Sequence, residues 1–278
     1  MKALRLLVLA ALAPLAFLAV PPAQAQQSFI VLASTTSVDN SGLLGHILPI
    51  FTKETGIAVH VIAQGTGQAL ATASRGDADL VLVHDPDAEA KFMADGDGIN
   101  RREIAWNDFI LVGPKSDPAK VSGGKDILAA MRAVWNAQAP FVSRGDKSGT
   151  DALEKRLWKS CDLDTAQAGP WYKDIGGGMG AALNAAAAMD AYTISDRGTW
   201  LSFNNRQNLV IVVEGDRRLL NFYDVIELNP KKHPNIKRAQ AHKLADWLAS
   251  KEGQAAISGY TVAGEKLFHP EADPKPKS

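Results

Sequence analysis

From Ser28 onward, short apolar runs alternate with stretches of helical spacing. Residues 28–33 (Ser-Phe-Ile-Val-Leu-Ala) form a run suited to a buried strand, which ends in four consecutive hydroxyl residues, Ser34, Thr35, Thr36 and Ser37. Gly42-Leu43-Leu44, Ile47-Leu48 and Ile50-Phe51 then recur at helical period. Residues 58–63 predict a second strand, Gly65-Thr66-Gly67 leads into a helix over 68–74, and 78–83 predict a third strand. A strand over 107–114 closes on a Gly-Pro breaker, with Pro118 beyond it. Next come a helix at 125–135, an apolar run into 140–150, a helix at 151–160, and the glycine turn 176–180 feeding an alanine-rich helix to Met189. Residues 191–197, 209–213 and 221–228 are the later strand candidates. A last helix at about 236–251 places Leu244, Trp247 and Leu248 on one face. The Pro- and Lys-rich tail from His269 is expected to fray.

Strands alternating with helices predict an α/β fold with mostly parallel sheets flanked by helices, and ligands in such sheets sit beyond the carboxyl ends of the strands. The Gly113-Pro114 breaker and the strand at 222 mark two crossings between lobes. The expected division is lobe I at 26–113 and 222–278 and lobe II at 114–221. Two lobes joined by two hinge crossings make a clamshell, and small-molecule sites favour such interfaces.

Residues 1–25 stand apart. Lys2 and Arg5 precede an apolar run over 6–20, and Ala23-Gln24-Ala25 has the form of a cleavage site, so a secretory signal peptide is expected and no stable membrane insertion. Lys+Arg and Asp+Glu both number 30, so losing Lys2 and Arg5 leaves a net charge of about −2, which gives nucleic acid no electrostatic footprint. With 278 residues, 46% of them hydrophobic, the chain can bury one or two cores. The single cysteine, Cys161, cannot form an internal disulfide and reads as a small buried hydrophobe.

The chemistry concentrates in three loops that each follow an apolar run: 34–37, 65–67 and 143–150. All three supply hydroxyls, glycine N–H groups or an arginine, and these are mostly donors. In the third, Phe141-Val142-Ser143-Arg144-Gly145-Asp146-Lys147-Ser148-Gly149-Thr150 reads as strand, donor loop and helix start. Ser148 and Thr150 are helix-capping types, Gly149 lets a ligand approach the backbone, and Arg144 adds a planar fork matched to oxyanions. A helix N-terminus with free N–H groups suits an anion. Asp146 lies two residues from Arg144 and is expected to orient it. A fully ionised tetrahedral oxyanion offers acceptors only, so its site needs hydroxyls, N–H groups and an arginine with no carboxylate aimed at the ligand. Neither a G-x-S-x-G elbow, a G-x-x-x-x-G-K-[ST] loop, H-E-x-x-H nor C-x-x-C occurs. His84 with Asp85 and Asp87 is the nearest thing to an acid–base or metal cluster, and a strand-end cap is the better reading of it.

These motifs resemble the tungstate-binding periplasmic proteins of tungstate ABC importers, relatives of the molybdate- and sulfate-binding proteins. The resemblance rests on Ser34-Thr35-Thr36-Ser37 with Ser41 to Leu44 after it, on 65–70, 76–84 and 107–114, and above all on 141–150, with 192–200 completing it. It implies a type II periplasmic-binding-protein clamshell that performs no chemistry, uses no cofactor and holds metal only as an oxoanion, tungstate or molybdate. It further implies a monomer that delivers its cargo to an ABC transporter permease. Ser34, Thr35, Thr36, Ser37, Thr66, Arg144, Ser148, Gly149 and Thr150 are then the expected anion contacts. Gly65, Gly67, Asp146, Ser195 and Arg197 are expected to support the site or close the cleft. The family's first motif is Thr-Thr-Thr-Ser, so Ser34 keeps a hydroxyl and loses a methyl. Asp151 departs from the family's usual His and would weaken the positive field unless it points to solvent. A phosphate-binding protein matches 144–150 equally well, with Asp85 as the acceptor that a protonated phosphate wants. A secreted phosphate-ester hydrolase would need a nucleophile beside a base, and no such pair is visible in the sequence.

Overall fold

A computed structural model describes residues 28–275, so the expected signal peptide lies outside the described residues. The first half opens with strand β1 (Phe29–Thr35), helices α1 (Thr36–Asn40) and α2 (Leu43–Thr55), then β2 (Ala58–Gln64), α3 (Thr66–Ser74), β3 (Leu80–Val83) and α4 (Pro86–Ala94). β2, β1 and β3 pair in parallel, with Phe29 opposite Ala58 and Leu32 opposite Leu80. All four residues of β3 are buried, as the apolar run Leu-Val-Leu-Val requires of a strand covered on both faces. Alternation then sorts its side chains: Leu80 and Leu82 join one core with Leu44, Phe51 and Trp247, while Val81 and Val83 join another with Leu70 and Phe92.

The long strand β4 (Gly98–Pro114) ties the halves together. It is followed by α5 (Ile127–Ala137), β5 (Phe141–Ser143), α6 (Gly149–Ser160), β6 (Tyr172–Asp174), α7 (Met179–Met189), β7 (Thr193–Asp196), α8 (Arg197–Ser202), β8 (Leu209–Val213) and β9 (Leu220–Leu228). As far as Asp108, β4 pairs antiparallel with β9, which continues the sheet to β3; from Phe109 it pairs with β7 and β8 instead. The change of partner thus falls at Asp108/Phe109, inside a continuous strand and five residues before Gly113-Pro114. Beyond it Phe109 and Leu111 pack in a core with Phe141, Trp158 and Tyr192, and Ile110 and Val112 pack in a second with Val142, Leu183 and Trp200. Cys161 is buried there, with Sγ 3.5 Å from the Leu128 carbonyl oxygen.

Parallel pairing holds for β1–β2, β1–β3 and β5–β6, whereas β4 and β9 run antiparallel to their partners because they are the strands that leave the first half and return. The first part of β4 carries Asn100, Arg101, Arg102 and Glu103 rather than an apolar run. Arg101 reaches Asp224 of β9 at 2.6 Å and Glu89 at 2.8 Å, and Arg102 reaches Glu227 at 3.1 Å, so ion pairs replace the hydrophobic pattern. The expected final helix is two helices, α9 (Arg238–Ala249) and α10 (Lys251–Ser258), because the Ser250 hydroxyl caps the second by accepting from Gly253 N at 3.2 Å.

As far as Lys275, the last described residue, the tail from His269 is packed and corrects the expectation of fraying. After the hairpin β10 (Thr261–Val262) and β11 (Glu265–Lys266), the short β12 (His269–Pro270) pairs with Ala105 and Trp106 of β4. His269 stacks on Trp106 at 4.1 Å, and Lys275 meets Glu103 at 2.7 Å. Local composition could not report that β4 offers an open edge. Among the described residues no helix is long and apolar enough to cross a membrane.

Candidate functional site

Helices α1, α3, α6, α7 and α8 begin at one cleft of about 460 Å³ between the two halves. α1 and α3 leave the carboxyl ends of β1 and β2, while α6 and α7 start on the opposite wall. Thr35 Oγ1 caps α1 by accepting from Val38 N at 3.2 Å. Gly65 and Gly178, the residues before α3 and α7, have no side chain to cap with, so the first N–H groups of those helices are not capped by them. The N-terminal ends of these helices therefore open on the same space, which favours negative charge, and at α8 the Asp196 carboxylate already supplies it.

Carboxylates hold the 144–150 loop from behind. Asp151 accepts from Gly145 N and Lys147 N, both at 3.2 Å, and Asp146 Oδ1 accepts from Ser148 N at 3.1 Å. Gly145 has φ +60°, and a Cβ there would lie 1.4 Å from Asp174 Oδ1, so only glycine fits. Asp151 is buried beneath the loop and does not line the cleft, so its charge organises the backbone instead of facing a ligand. Arg144 is pinned by Nη2 to Asp146 Oδ2 at 2.5 Å and donates from Nη1 to Thr150 Oγ1 at 3.2 Å. Its Nε is buried and has no partner among the described residues. Burial pushes the Asp146 carboxyl up, but Ser148 and Arg144 outweigh that and hold it below the usual carboxylate range.

Of the residues singled out in the sequence, Thr35, Thr36, Ser37, Gly65, Thr66, Arg144, Ser148, Gly149 and Thr150 all line this cleft. Ser34 does not: it is fully buried and its hydroxyl donates to the Leu82 carbonyl of β3 at 2.8 Å. Gly67 lies in the first turn of α3, off the lining. Ser195 is buried, with its hydroxyl donating to the Asp196 carbonyl at 3.0 Å. Arg197 makes two bonds to Asp108, at 2.7 and 2.6 Å, and one to Glu214 at 2.7 Å. It braces α8 against β4 where that strand changes partners, and these carboxylates, Asp108 first, raise its pKa above the ordinary arginine value. Asp196, the only acidic residue on the lining, has Oδ2 and Oδ1 bonded to Thr199 N and Oγ1 at 2.7 and 2.8 Å.

His84, read from the sequence as a strand-end cap, lines the cleft too, together with Asn107, Asn221 and Tyr223, which were not among the expected site residues. His84 is the residue after β3, at the carboxyl end of a central parallel strand, and that position was the available signal. Its Nε2 lies 2.8 Å from Ser37 Oγ and 3.1 Å from Thr35 Oγ1, and its Nδ1 lies 3.1 Å from Asn221 Oδ1. The structure thus contains the hydroxyl–imidazole pair that the sequence concealed. Asp85 is not on the lining of this cleft and caps α4, accepting from Asp87 N and Ala88 N at 3.2 and 3.3 Å. A Cβ on Gly149 would lie 3.0 Å from His84 Cε1, so the two walls meet there. The hairpin side contributes Val262 and Leu267 to the rim. Trp171 packs in an aromatic cluster with Trp135, Trp158 and Tyr172, off the cleft lining. No group of three His, Cys, Asp or Glu among the described residues is placed to hold a metal ion.

Comparison with known proteins agrees with this architecture. The family model of the PBP superfamily domain matches residues 20–252. The tungstate-binding protein TupA of Peptoclostridium acidaminophilum is 44% identical over 247 residues, covering 87% of this chain and 86% of the relative. Among solved structures, the tungstate-binding protein TupA of Desulfovibrio alaskensis G20 superposes with a TM-score of 0.83 at 41% identity, covering 88% of this chain and 100% of the other. The tungstate ABC transporter structure from Geobacter sulfurreducens gives a TM-score of 0.73 at 44% identity, covering 84% and 98%. On these matches and on its two-walled α/β architecture, the chain belongs to the PBP superfamily and, within it, to the family of the TupA tungstate-binding proteins.

Proposed function

We propose that this protein is a periplasmic solute-binding protein that captures tungstate, with molybdate as the near-isosteric alternative, and delivers it to an ABC permease. The observation that carries the reading is the donor surplus at the cleft. Arg144 lines the cleft and its Nε is buried without a partner among the described residues, the first N–H groups of α3 and α7 are uncapped by their own N-cap residues, and the Thr36, Thr66 and Thr150 hydroxyls stand on both walls. Burying a dianion is costly unless its lone pairs are met, and donors from both walls converge only when the walls approach. Thr35, Thr36, Ser37, Thr66, Arg144, Ser148, Gly149 and Thr150 are the proposed contacts, with Asp146 orienting Arg144. The two lobes move about β4 and the start of β9, near Asp108 and Leu220, where strand partners change.

The phosphate alternative wanted Asp85 as a proton acceptor in the cleft, and that carboxylate is taken up in capping α4. A hydrolase would use Ser37 with His84, but Thr35 shares the same ring nitrogen and Asn221 stands where a carboxylate would sustain an imidazolium. The protein therefore binds and releases its anion without chemistry. Calorimetric titration with tungstate, molybdate, sulfate and phosphate tests this. Tight binding of tungstate is expected, and binding of phosphate alone would overturn the reading. Turnover of a phosphate ester that disappears in Ser37→Ala would establish the enzyme instead.

A further inference from the structure

His84 is joined on both sides by groups that fix its proton. Asn221 turns Nδ2 toward Asn107 Oδ1 at 3.0 Å and the Tyr223 hydroxyl at 2.7 Å. Its Oδ1 therefore faces His84 Nδ1 as an acceptor, so a neutral ring carries its proton on Nδ1 and a lone pair on Nε2. That single lone pair is shared by two hydroxyls, Ser37 Oγ at 2.8 Å and Thr35 Oγ1 at 3.1 Å, themselves 2.9 Å apart. Whichever hydroxyl donates to Nε2 turns its proton away from the cleft. If the ring is protonated, Nε2–H becomes the donor, and that hydroxyl proton is freed to point at a ligand.

We propose that His84 is a positioning residue of the cleft, which sets the direction of the Thr35 and Ser37 hydroxyl protons and takes up one proton from solvent when a tetrahedral dianion binds. The inference deepens the proposed function and rests on it.

The surrounding charges explain why uptake waits for the anion. Burial disfavours the charged ring and is the dominant influence, while the Asn221 bond, Asp85 beside it and Asp196 across the cleft favour it. Tyr223 packs against the ring at 5.1 Å and stays neutral, its hydroxyl pushed well above the ordinary value by burial. On the cation side, Arg144 and Lys147 share the main cleft with His84, and Arg156 and Arg218 share with it a smaller cavity of about 120 Å³. Of these, Arg144 is paired with Asp146 and Arg218 with Asp126 and Asp216, so burial remains the main obstacle to charging the ring. A bound dianion supplies the missing negative charge and rewards the released hydroxyl, so protonation and binding reinforce one another.

The test uses the full protein and sodium tungstate, titrated calorimetrically in two non-binding buffers of different ionisation enthalpy. The expected result is proton uptake on binding above about pH 6.5, the ordinary imidazole value below which burial holds the free ring, with affinity falling as pH rises by at most about tenfold per pH unit. His84→Gln keeps an amide near Nε2 and cannot titrate; its uptake should vanish and its pH profile flatten while its circular dichroism stays native. Equal uptake in wild type and His84→Gln overturns the inference, as does wild-type binding with no uptake across that range. Should His84→Gln not fold, Asn221→Asp serves: a carboxylate there holds the ring protonated beforehand, so uptake should fall toward zero, and unchanged uptake overturns the inference. Absence of tungstate binding in the wild type would instead overturn the proposed function beneath it.

Discussion

The corner at 35–37 and the loop at 144–150 share a plan, a buried strand leading into a helix N-terminus, yet they bring different physics to one cleft. The first is held by neutral groups: Thr35, Ser37, His84 and Asn221 pass hydrogen bonds along a buried chain with no formal charge. The second is held by ions, with Asp146 and Asp151 gripping backbone amides and Arg144 pinned at its outer edge. Carboxylates in the second loop face the backbone, so the charge left toward the cleft is positive. A site divided in this way draws its attraction from one wall and its proton geometry from the other.

Breaking the charged wall should have the largest consequence. Arg144→Ala removes the fork and is expected to weaken tungstate binding by about 10- to 150-fold by calorimetry, since a hydrogen bond to a charged group contributes about 1.5–3 kcal/mol. Ser41→Ala, also on the lining but with its hydroxyl donating to the Val38 carbonyl at 2.6 Å, should change affinity far less. Equal affinities in the two variants would erase the distinction between the walls.

Asp151→Ala tests whether the carboxylates act through the backbone. It leaves Gly145 N and Lys147 N without their acceptor and should lower stability by about 1–3 kcal/mol in denaturant unfolding, with affinity reduced as the loop loosens. If Asp151 acted mainly by repelling the anion, its loss would tighten binding, so the sign decides.

The smallest effect is expected at Ser34. Its hydroxyl is bonded to Leu82 inside the sheet, so Ser34→Ala should cost about 1 kcal/mol of stability and leave tungstate affinity within about twofold. A loss comparable to that of Arg144→Ala would mean that the first residue of the hydroxyl run reaches the ligand after all.

Several features were legible because they depend on neighbours in sequence. The 28–33 and 78–83 runs announced central strands, and Gly65, Ser148 and Thr66 announced helix starts, since caps and glycine turns act within a few residues. Others depended on partners far along the chain. Arg101 and Arg102 pair with Asp224 and Glu227, partners that no local pattern could place opposite them. Asp151 looked like a threat to the anion until burial turned it onto two amides of its own loop.

What the sequence alone determined is the alternation of strands and helices, the three donor loops at strand ends and, through the long motif at 141–150, the family. Tertiary structure alone decided which donors share a wall, that Ser34 and Arg197 are committed elsewhere, and that His84 stands beside Ser37. The physical reason is separation along the chain: 47 residues divide His84 from Ser37 and 137 divide it from Asn221, and no local periodicity encodes contacts that form only when the sheet brings its strand ends together.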